Sequence, residues 1–141
     1  MLKTSMSAIP DMVKQPPVSS GRRLESMESE YTFLSLFFVE EGGQYLEITL
    51  EAHGTYRLRG FDGVRNPVTD FSDLSLVIMH EIDTEGVFLN EVILPWSIFP
   101  QSLSAINIFF QTPQFLLAYH PLPGKTPDIH QIQTFPFITI E

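Results

Sequence analysis

Alternation of apolar and polar positions is the clearest pattern in this chain. In Tyr45 to Glu51 three aliphatic side chains alternate with polar ones, two of them glutamates. Successive side chains of a β-strand point to opposite faces, so this segment predicts a strand with one packed face and one acidic face toward solvent or a ligand. Thr55 to Arg59 repeats the alternation, which predicts a second strand with Tyr56 and Leu58 pointing inward.

A longer apolar run precedes these two strands. Tyr31 to Val39 is almost continuously apolar and stops at Glu40 to Gly43, a turn sequence that predicts a hairpin with the next strand. Arg57 and Arg59 could pair across strands with the glutamates of that next strand if the register allows it. The sequence leaves the register open.

Further short runs rich in β-branched and aromatic residues follow at the spacing of antiparallel strands. They are Leu74 to Ile82, Val87 to Leu94, Ala105 to Gln111, Phe115 to His120, and Thr134 to Ile140, in which Pro136 marks an edge or an irregular strand. Loops are predicted at Asp62 to Asp73 and Pro121 to Asp128. Pro95 to Pro100 is too short for a regular helix and predicts a short helical turn near 96–99 that closes one end of the fold.

The fold class that this pattern predicts is all-β, an antiparallel β-sandwich. Many strands without intervening helices indicate a sandwich or a barrel, and the uneven strand lengths favour the sandwich. A length of 141 residues suits one domain. We expect residues 1–29, rich in Ser, Pro, Met and Lys, to form a disordered leader, and residues 30–141 to form the sandwich.

Composition and charge narrow the classes of function. The chain has no cysteine, which excludes disulfides and thiolate chemistry. A net charge of −9 disfavours nucleic acid and anionic membrane surfaces as partners. No apolar run has the length of a secretory signal or a bilayer span, so a cytoplasmic location is the default expectation.

Sequence motifs of enzymes are missing from the chain. It contains no nucleophile elbow, phosphate-binding glycine loop, paired zinc-ligand motif or calcium loop. His120, Asp128 and His130 border the proline-rich loop and could converge on a metal, but loop histidines more often brace the backbone through hydrogen bonds. We therefore expect a non-enzymatic protein without a cofactor or a bound metal.

The sharpest candidate for chemistry is Trp96, the single tryptophan. Together with Tyr119 it could offer flat faces on which sugar rings stack, while His120 and Asp128 take the hydroxyl groups. These four residues are the candidate ligand-binding site. A tryptophan between two prolines more often plugs a core, and both interpretations stay open at this point.

Several short motifs carry a family resemblance. They are Tyr45-Leu46-Glu47 with His53-Gly54, Leu94-Pro95-Trp96-Ser97 with Phe99-Pro100, Tyr119-His120-Pro121, and Pro127-Asp128 with His130. In order and spacing, across Glu30 to Phe137, the chain resembles uncharacterised protein family 0462. That family is similar to the β-sandwich of family 9 carbohydrate-binding modules, so the resemblance implies the same fold and no established activity. The chain departs from the family pattern in Tyr31 to Phe38, which keeps the aromatic residues and lacks two acidic ones.

Two hypotheses of function follow. The first is a non-enzymatic binding module for a carbohydrate or another small ligand. The alternative is a structural or protein-interaction sandwich without a small-molecule ligand, which binds a protein partner along an exposed strand such as Tyr31 to Val39. The sequence leaves the oligomeric state open.

Overall fold

A computed structural model of the chain describes residues 2–7, 22–23, 32–51, 55–71, 74–82, 84–85, 87–112, 116–125 and 128–139. Within these ranges lie ten β-strands and two 3₁₀ turns. The strands are β1 (Leu2–Ser7), β2 (Arg22–Arg23), β3 (Phe33–Glu40), β4 (Gln44–Glu51), β5 (Thr55–Asp62), β6 (Pro67–Thr69), β7 (Val77–Ile82), β8 (Val87–Ile93), β9 (Leu103–Gln111) and β10 (Leu116–Ala118). The 3₁₀ turns are Trp96–Ile98 and Ile132–Thr134.

The strands form two sheets. A three-stranded sheet has the order β1-β8-β7, and a seven-stranded sheet has the order β10-β9-β3-β4-β5-β2, with β6 paired to β5. Every pairing is antiparallel except that of β2 with β5. The predicted all-β, mostly antiparallel fold is confirmed, and so is the short helical turn after Pro95.

One core fills the space between the two sheets. Even-numbered residues of β3, β4 and β5, among them Leu36, Ile48 and Leu58, pack against Ile78 and Val92 of the smaller sheet and against Leu76, which precedes β7. Tyr56 ties the layers together, since its hydroxyl donates to the Leu74 carbonyl at 3.1 Å and accepts the Leu76 N–H at 3.1 Å. The predicted inward positions of Tyr56 and Leu58 are confirmed.

A second core covers the opposite face of the seven-stranded sheet. Its members on the sheet include Phe37, Tyr45, Phe61 and Phe109, and residues 128–139, here called the C-terminal strap, supply Ile132 and Phe135. The strap is joined to the start of β9 by a bridge between Ala105 and Phe137 and by a 2.9 Å hydrogen bond from the Ile138 N–H to the Ser104 carbonyl.

Burial of both faces corrects one expectation about β4. Its polar face does not meet solvent, because Glu47 is 1 % exposed, Thr49 is inaccessible and Glu51 is 5 % exposed. The alternation predicted the strand correctly and assigned the wrong surroundings to its acidic face. Alternation separates two faces, but a layer that covers the polar one comes from a distant part of the chain.

Residues 33–39 of the Tyr31 to Val39 run do not form an exposed edge, which corrects a second expectation. Strand β3 lies between β4 and β9, and both neighbours pair with it along most of its length. Nearly continuous apolar sequence is typical of a strand that is buried on both faces, and a partner cannot add to a strand whose two edges are occupied.

Other segments differ in detail from the expectations. The loop predicted at Asp62 to Asp73 contains the short strand β6. Where a strand was predicted at Thr134 to Ile140, the structure has the end of a 3₁₀ turn and a single bridge at Phe137. Strands β1 and β2 fall within residues 1–29. The rest of that segment and the His53-Gly54 motif lie outside the described residues, so the disordered leader stays a prediction.

Candidate functional site

Several connections meet at one end of the seven-stranded sheet, here called the turn end. They are residues 40–43, 62–66, 94–102 and 128–131. The Glu41 N–H donates to the Ser102 carbonyl at 3.2 Å, and Gln44 Nε2 donates to Asp62 Oδ1 at 3.1 Å. Loops gathered at one end of a rigid sandwich are a common location for binding residues.

An exposed aromatic platform lies at the turn end. The Trp96 side chain is 74 % exposed and stacks on Phe99, with ring centroids 5.8 Å apart and an interplanar angle of 17°. The Phe99 ring in turn packs on Phe38 of the intersheet core, with ring centroids 5.1 Å apart. Phe99 therefore does the packing that the sequence suggested for Trp96, and the interpretation of Trp96 as a core plug is wrong.

The chain holds the platform through a short turn between extended residues. Pro95 has φ −61° and ψ 134°, and Phe99 leaves the turn at φ −74° and ψ 137°. The Ile98 N–H donates to the Pro95 carbonyl and the Phe99 N–H to the Trp96 carbonyl, both at 3.2 Å. A proline fixes its own φ and favours an extended residue before it, so Pro95 and Pro100 confine the helical conformation to one turn.

Polar groups border the platform. The Gln101 N–H donates to Glu40 Oε1 at 3.1 Å, and Gln101 Nε2 donates to the Phe99 carbonyl at 3.2 Å. The side chain of Gln101 is exposed and that of Glu40 is partly exposed. An amide and a carboxylate that reach solvent beside an aromatic face supply donor and acceptor groups for a polar ligand.

Tyr119 and His120 lie beyond β10 at the edge of the same sheet. Tyr119 is 71 % exposed, and its N–H donates to the Ile108 carbonyl at 2.8 Å. The His120 backbone is held at both its N–H and its carbonyl by the Asn107 side chain, at 3.0 Å each. Asn107 is inaccessible to solvent, so this buried amide fixes the path of the chain next to His120.

Asp128 opens the strap in an ion pair with Arg65. Arg65 Nη2 and Nε approach the two carboxylate oxygens at 2.6 and 3.3 Å, and the His130 N–H donates to Asp128 Oδ1 at 2.9 Å. Burial raises the pKa of Asp128, but the His130 N–H and the Arg65 guanidinium outweigh it and hold that pKa below its ordinary value. Asp128 is therefore ionised and already partnered.

Tyr45 and His130 form a buried polar pair where the strap crosses β4. Their hydroxyl oxygen and Nδ1 are 2.8 Å apart, and the Tyr45 oxygen also accepts the Arg65 N–H at 3.1 Å. Burial lowers the pKa of His130 and raises the pKa of Tyr45, so both groups are neutral near pH 7. The sequence analysis missed this pair because its members are 85 residues apart.

A buried ion pair lies on the same face. Arg59 Nη2 and Nε donate to Glu47 Oε2 at 2.8 and 3.2 Å, and the Thr49 hydroxyl approaches Glu47 Oε1 at 3.4 Å. The guanidinium also lies 5.0 Å from the centre of the Phe61 ring. Register places Glu47 directly opposite Arg59, so the cross-strand pairing left open by the sequence is formed at this position.

Comparison with known proteins places the chain in a family. No family model matches it, and no solved structure matches it. It is similar to the UPF0462 protein C4orf33 homolog of Rattus norvegicus, with 31 % identity over an alignment 148 positions long. The alignment covers 95 % of this chain and 71 % of the rat protein. The chain belongs to the UPF0462 family. The predicted membership is confirmed at this level, and the name of the relative states no activity.

The UPF0462 structure divides the four predicted ligand-binding residues between two faces. Trp96 reaches the intersheet face through Phe99, whereas Asp128 lies with the strap on the opposite face. Tyr119 lies opposite Ile108 of β9, on the same face of the sheet as Trp96. His120 is hydrogen-bonded to Asn107, whose side chain lies on the face that the strap covers. The described contacts join none of the four to another, and their role as ligand contacts stays a prediction.

The ionisable groups of the described site residues are engaged with one another. Asp128 and Glu47 each have an arginine partner, and Tyr45 is paired with a neutral histidine. No group of three or more His, Asp or Glu in the described ranges is arranged to hold a metal ion. None of the helical segments among these residues is long and apolar enough to span a membrane.

Proposed function

We propose that this UPF0462 chain is a non-enzymatic carbohydrate-binding module in which Trp96 is the stacking platform. The observation that carries the proposal is an indole that is 74 % exposed and held nearly parallel to Phe99. A flat, rigid aromatic face is the surface on which the CH groups of a sugar ring pack. An exposed ring that is supported from behind loses little conformational freedom when a ligand covers it.

The surroundings of Trp96 favour an uncharged sugar. Gln101 and Glu40 supply an amide and a carboxylate beside the ring, and these groups can accept and donate hydrogen bonds to hydroxyls. The net charge of −9 opposes sulfated or sialylated glycans. Tyr119 adds a second exposed ring on the same side of the sheet.

Isothermal titration against a panel of neutral oligosaccharides tests the proposal. We expect the wild type to bind, and Trp96→Ala to bind at least about tenfold more weakly, which corresponds to about 1.4 kcal/mol for the lost ring contact. Phe137→Ala is the matched control, because Phe137 is an 85 % exposed aromatic residue on the strap, which packs on the opposite face of the sheet. Equal affinity of Trp96→Ala and wild type, or no binding by wild type, would overturn the proposal.

A second candidate function rests on the outer face of the smaller sheet. Val77 and Ile93 are direct cross-strand neighbours, 53 % and 48 % exposed, and Met79 beside them is 48 % exposed. Adjacent exposed aliphatic side chains on a sheet face are typical of a protein interface. We propose this face as a protein interface, and a second copy of the chain is the partner that we test first.

Sedimentation velocity over a range of concentrations tests this second candidate. Association is expected to strengthen with added salt, since screening weakens the repulsion between two chains of net charge −9. Ile93→Ser should weaken it, whereas Val68→Ser, at a position 62 % exposed on β6, should not. A monomer at every concentration and salt level would exclude this function and leave the glycan proposal standing.

A further inference from the structure

The C-terminal strap is attached to the seven-stranded sheet mainly through one small set of side chains. His130 is 6 % exposed, Ile132 9 % and Phe135 4 %. The imidazole ring lies 5.4 Å from the rings of both Phe37 and Phe61. Removal of the strap would bare the aromatic face beneath it.

The hydrogen bonding of this set suits a neutral imidazole. The Tyr45 oxygen already accepts the Arg65 N–H, so its own hydrogen is free to point at His130 Nδ1, 2.8 Å away. If Nδ1 also carried a proton, that proton and the hydroxyl hydrogen would both lie between Nδ1 and the Tyr45 oxygen, unless the hydroxyl turned away. Protonation of the imidazole therefore requires the Tyr45 hydroxyl to stop donating to Nδ1 and to accept from it instead.

Charged groups face His130 from β4, from β5, from the connection after β5 and from the strap, whereas β3 contributes the Phe37 ring, and the charges offset one another. Glu47 on β4 and Asp128 on the strap favour an imidazolium, while Arg59 on β5 and Arg65 after β5 oppose it. Each acid is already engaged by one of these arginines, at 2.8 and 2.6 Å. Desolvation therefore decides the balance, and it lowers the pKa of His130 below the ordinary value.

We propose that the strap is a pH-sensitive cover, which leaves the sheet when His130 takes up a proton. The folded form disfavours the proton, so its stability is complete above the ordinary histidine pKa and falls as the pH drops below that value. Among the described residues, the backbone of the strap pairs with β9 at the Ala105–Phe137 bridge, to which the Ile138 N–H to Ser104 carbonyl hydrogen bond belongs, and its polar side-chain contacts with the sheet are those of Asp128 with Arg65 and of His130 with Tyr45. A segment with so few backbone ties can open without unfolding of the whole domain.

Opening would have a defined consequence for the surface. Phe37, Tyr45, Phe61 and Phe109 form one apolar face on neighbouring strands, and the strap covers it. At acidic pH this face would become available to an apolar partner, while the intersheet core and the Trp96 platform on the other side of the sheet stay intact.

Amide hydrogen exchange read by mass spectrometry tests the proposal on the full chain. At about pH 5, below the ordinary histidine value, the strap should lose at least about tenfold in protection relative to about pH 7.5, after correction for intrinsic exchange. The amides of β3 and β4 should keep their protection. His130→Gln, which cannot take up the proton, should abolish the difference, and His120→Gln, at an exposed site, should leave it unchanged.

Two results would overturn the proposal: strap protection that does not depend on pH, or an acid-dependent loss that persists in His130→Gln. If His130→Gln does not fold, the wild type decides by itself. The pH midpoint of strap opening must then coincide with the protonation midpoint of the His130 imidazole followed by NMR, and two different midpoints would reject the link.

Discussion

Replacing Arg59 with methionine should destabilise the fold strongly. Glu47 is 1 % exposed and takes its two shortest hydrogen bonds, at 2.8 and 3.2 Å, from this guanidinium. Loss of one partner of a buried ion pair leaves an uncompensated charge and costs about 3–5 kcal/mol. The Arg59 side chain is 26 % exposed, so water can partly replace it, and we expect the low end, about 3 kcal/mol.

Urea unfolding followed by far-UV circular dichroism measures this cost. The midpoint should fall with an unchanged slope, and adding Glu47→Gln to the same chain should recover part of the loss because the buried charge is then gone. Arg65→Met is the control. Its ion pair with Asp128 has side chains 61 % and 35 % exposed, and such pairs are worth about 0–1 kcal/mol. A cost below about 1 kcal/mol for Arg59→Met, or no recovery in the double variant, would refute the reasoning.

Three further changes should be read in the same unfolding assay. Tyr56→Phe leaves two backbone groups between the sheets without their partner and should cost about 1–3 kcal/mol, whereas the exposed Tyr119→Phe should cost almost nothing; equal effects would contradict the intersheet role. Phe37→Ala removes an inaccessible ring and should cost about 3–5 kcal/mol, with Phe137→Ala as its exposed control; a small loss would show that the second core is not continuous. Gly43→Ala should cost about 1–2 kcal/mol, because Gly43 has φ 87°, a conformation that alanine rarely adopts. No atom lies within 4 Å of the added methyl group, so the cost comes from the backbone alone. An unchanged unfolding midpoint would mean that the turn relaxes.

Most of the strand pattern could be predicted from local sequence. The alternation in β4 and β5 fixes which side chains face the intersheet core, because a period of two is a property of the strand itself. The turn at Glu40 to Gly43 predicts the hairpin through its glycines. Even the central position of β3 had a local signal, an apolar run without alternation, which the sequence analysis assigned to an edge.

The polar side of the sheet could not be predicted in the same way. Whether Glu47 faces water depends on the strap and on Arg59, and neither follows from the residues next to it. The strap itself has an irregular conformation around Pro136, so it lacks the periodicity that reveals a strand or a helix. Its contacts with Tyr45 become visible only when distant parts of the chain are brought together.

Trp96 shows the same limit at a single residue. The prolines on both sides predict a short turn, and the turn is there. The local sequence does not say which of the two aromatic rings in this turn enters the core, because either ring could fill the space beside Phe38. The choice of Phe99 over Trp96 is a property of the assembled sandwich, and it creates the platform on which the proposed function rests.

The central place of β3 has a consequence for how the chain is made. Its first partner, β4, follows after a short turn. Its second partner, β9, is synthesised much later, since Phe38 pairs with Ile106. During that interval the mostly apolar strand β3 has one unpaired side, which can recruit another nascent chain. Because β3 and β9 pair across a long stretch of sequence, we expect folding to be slow for a chain of this size.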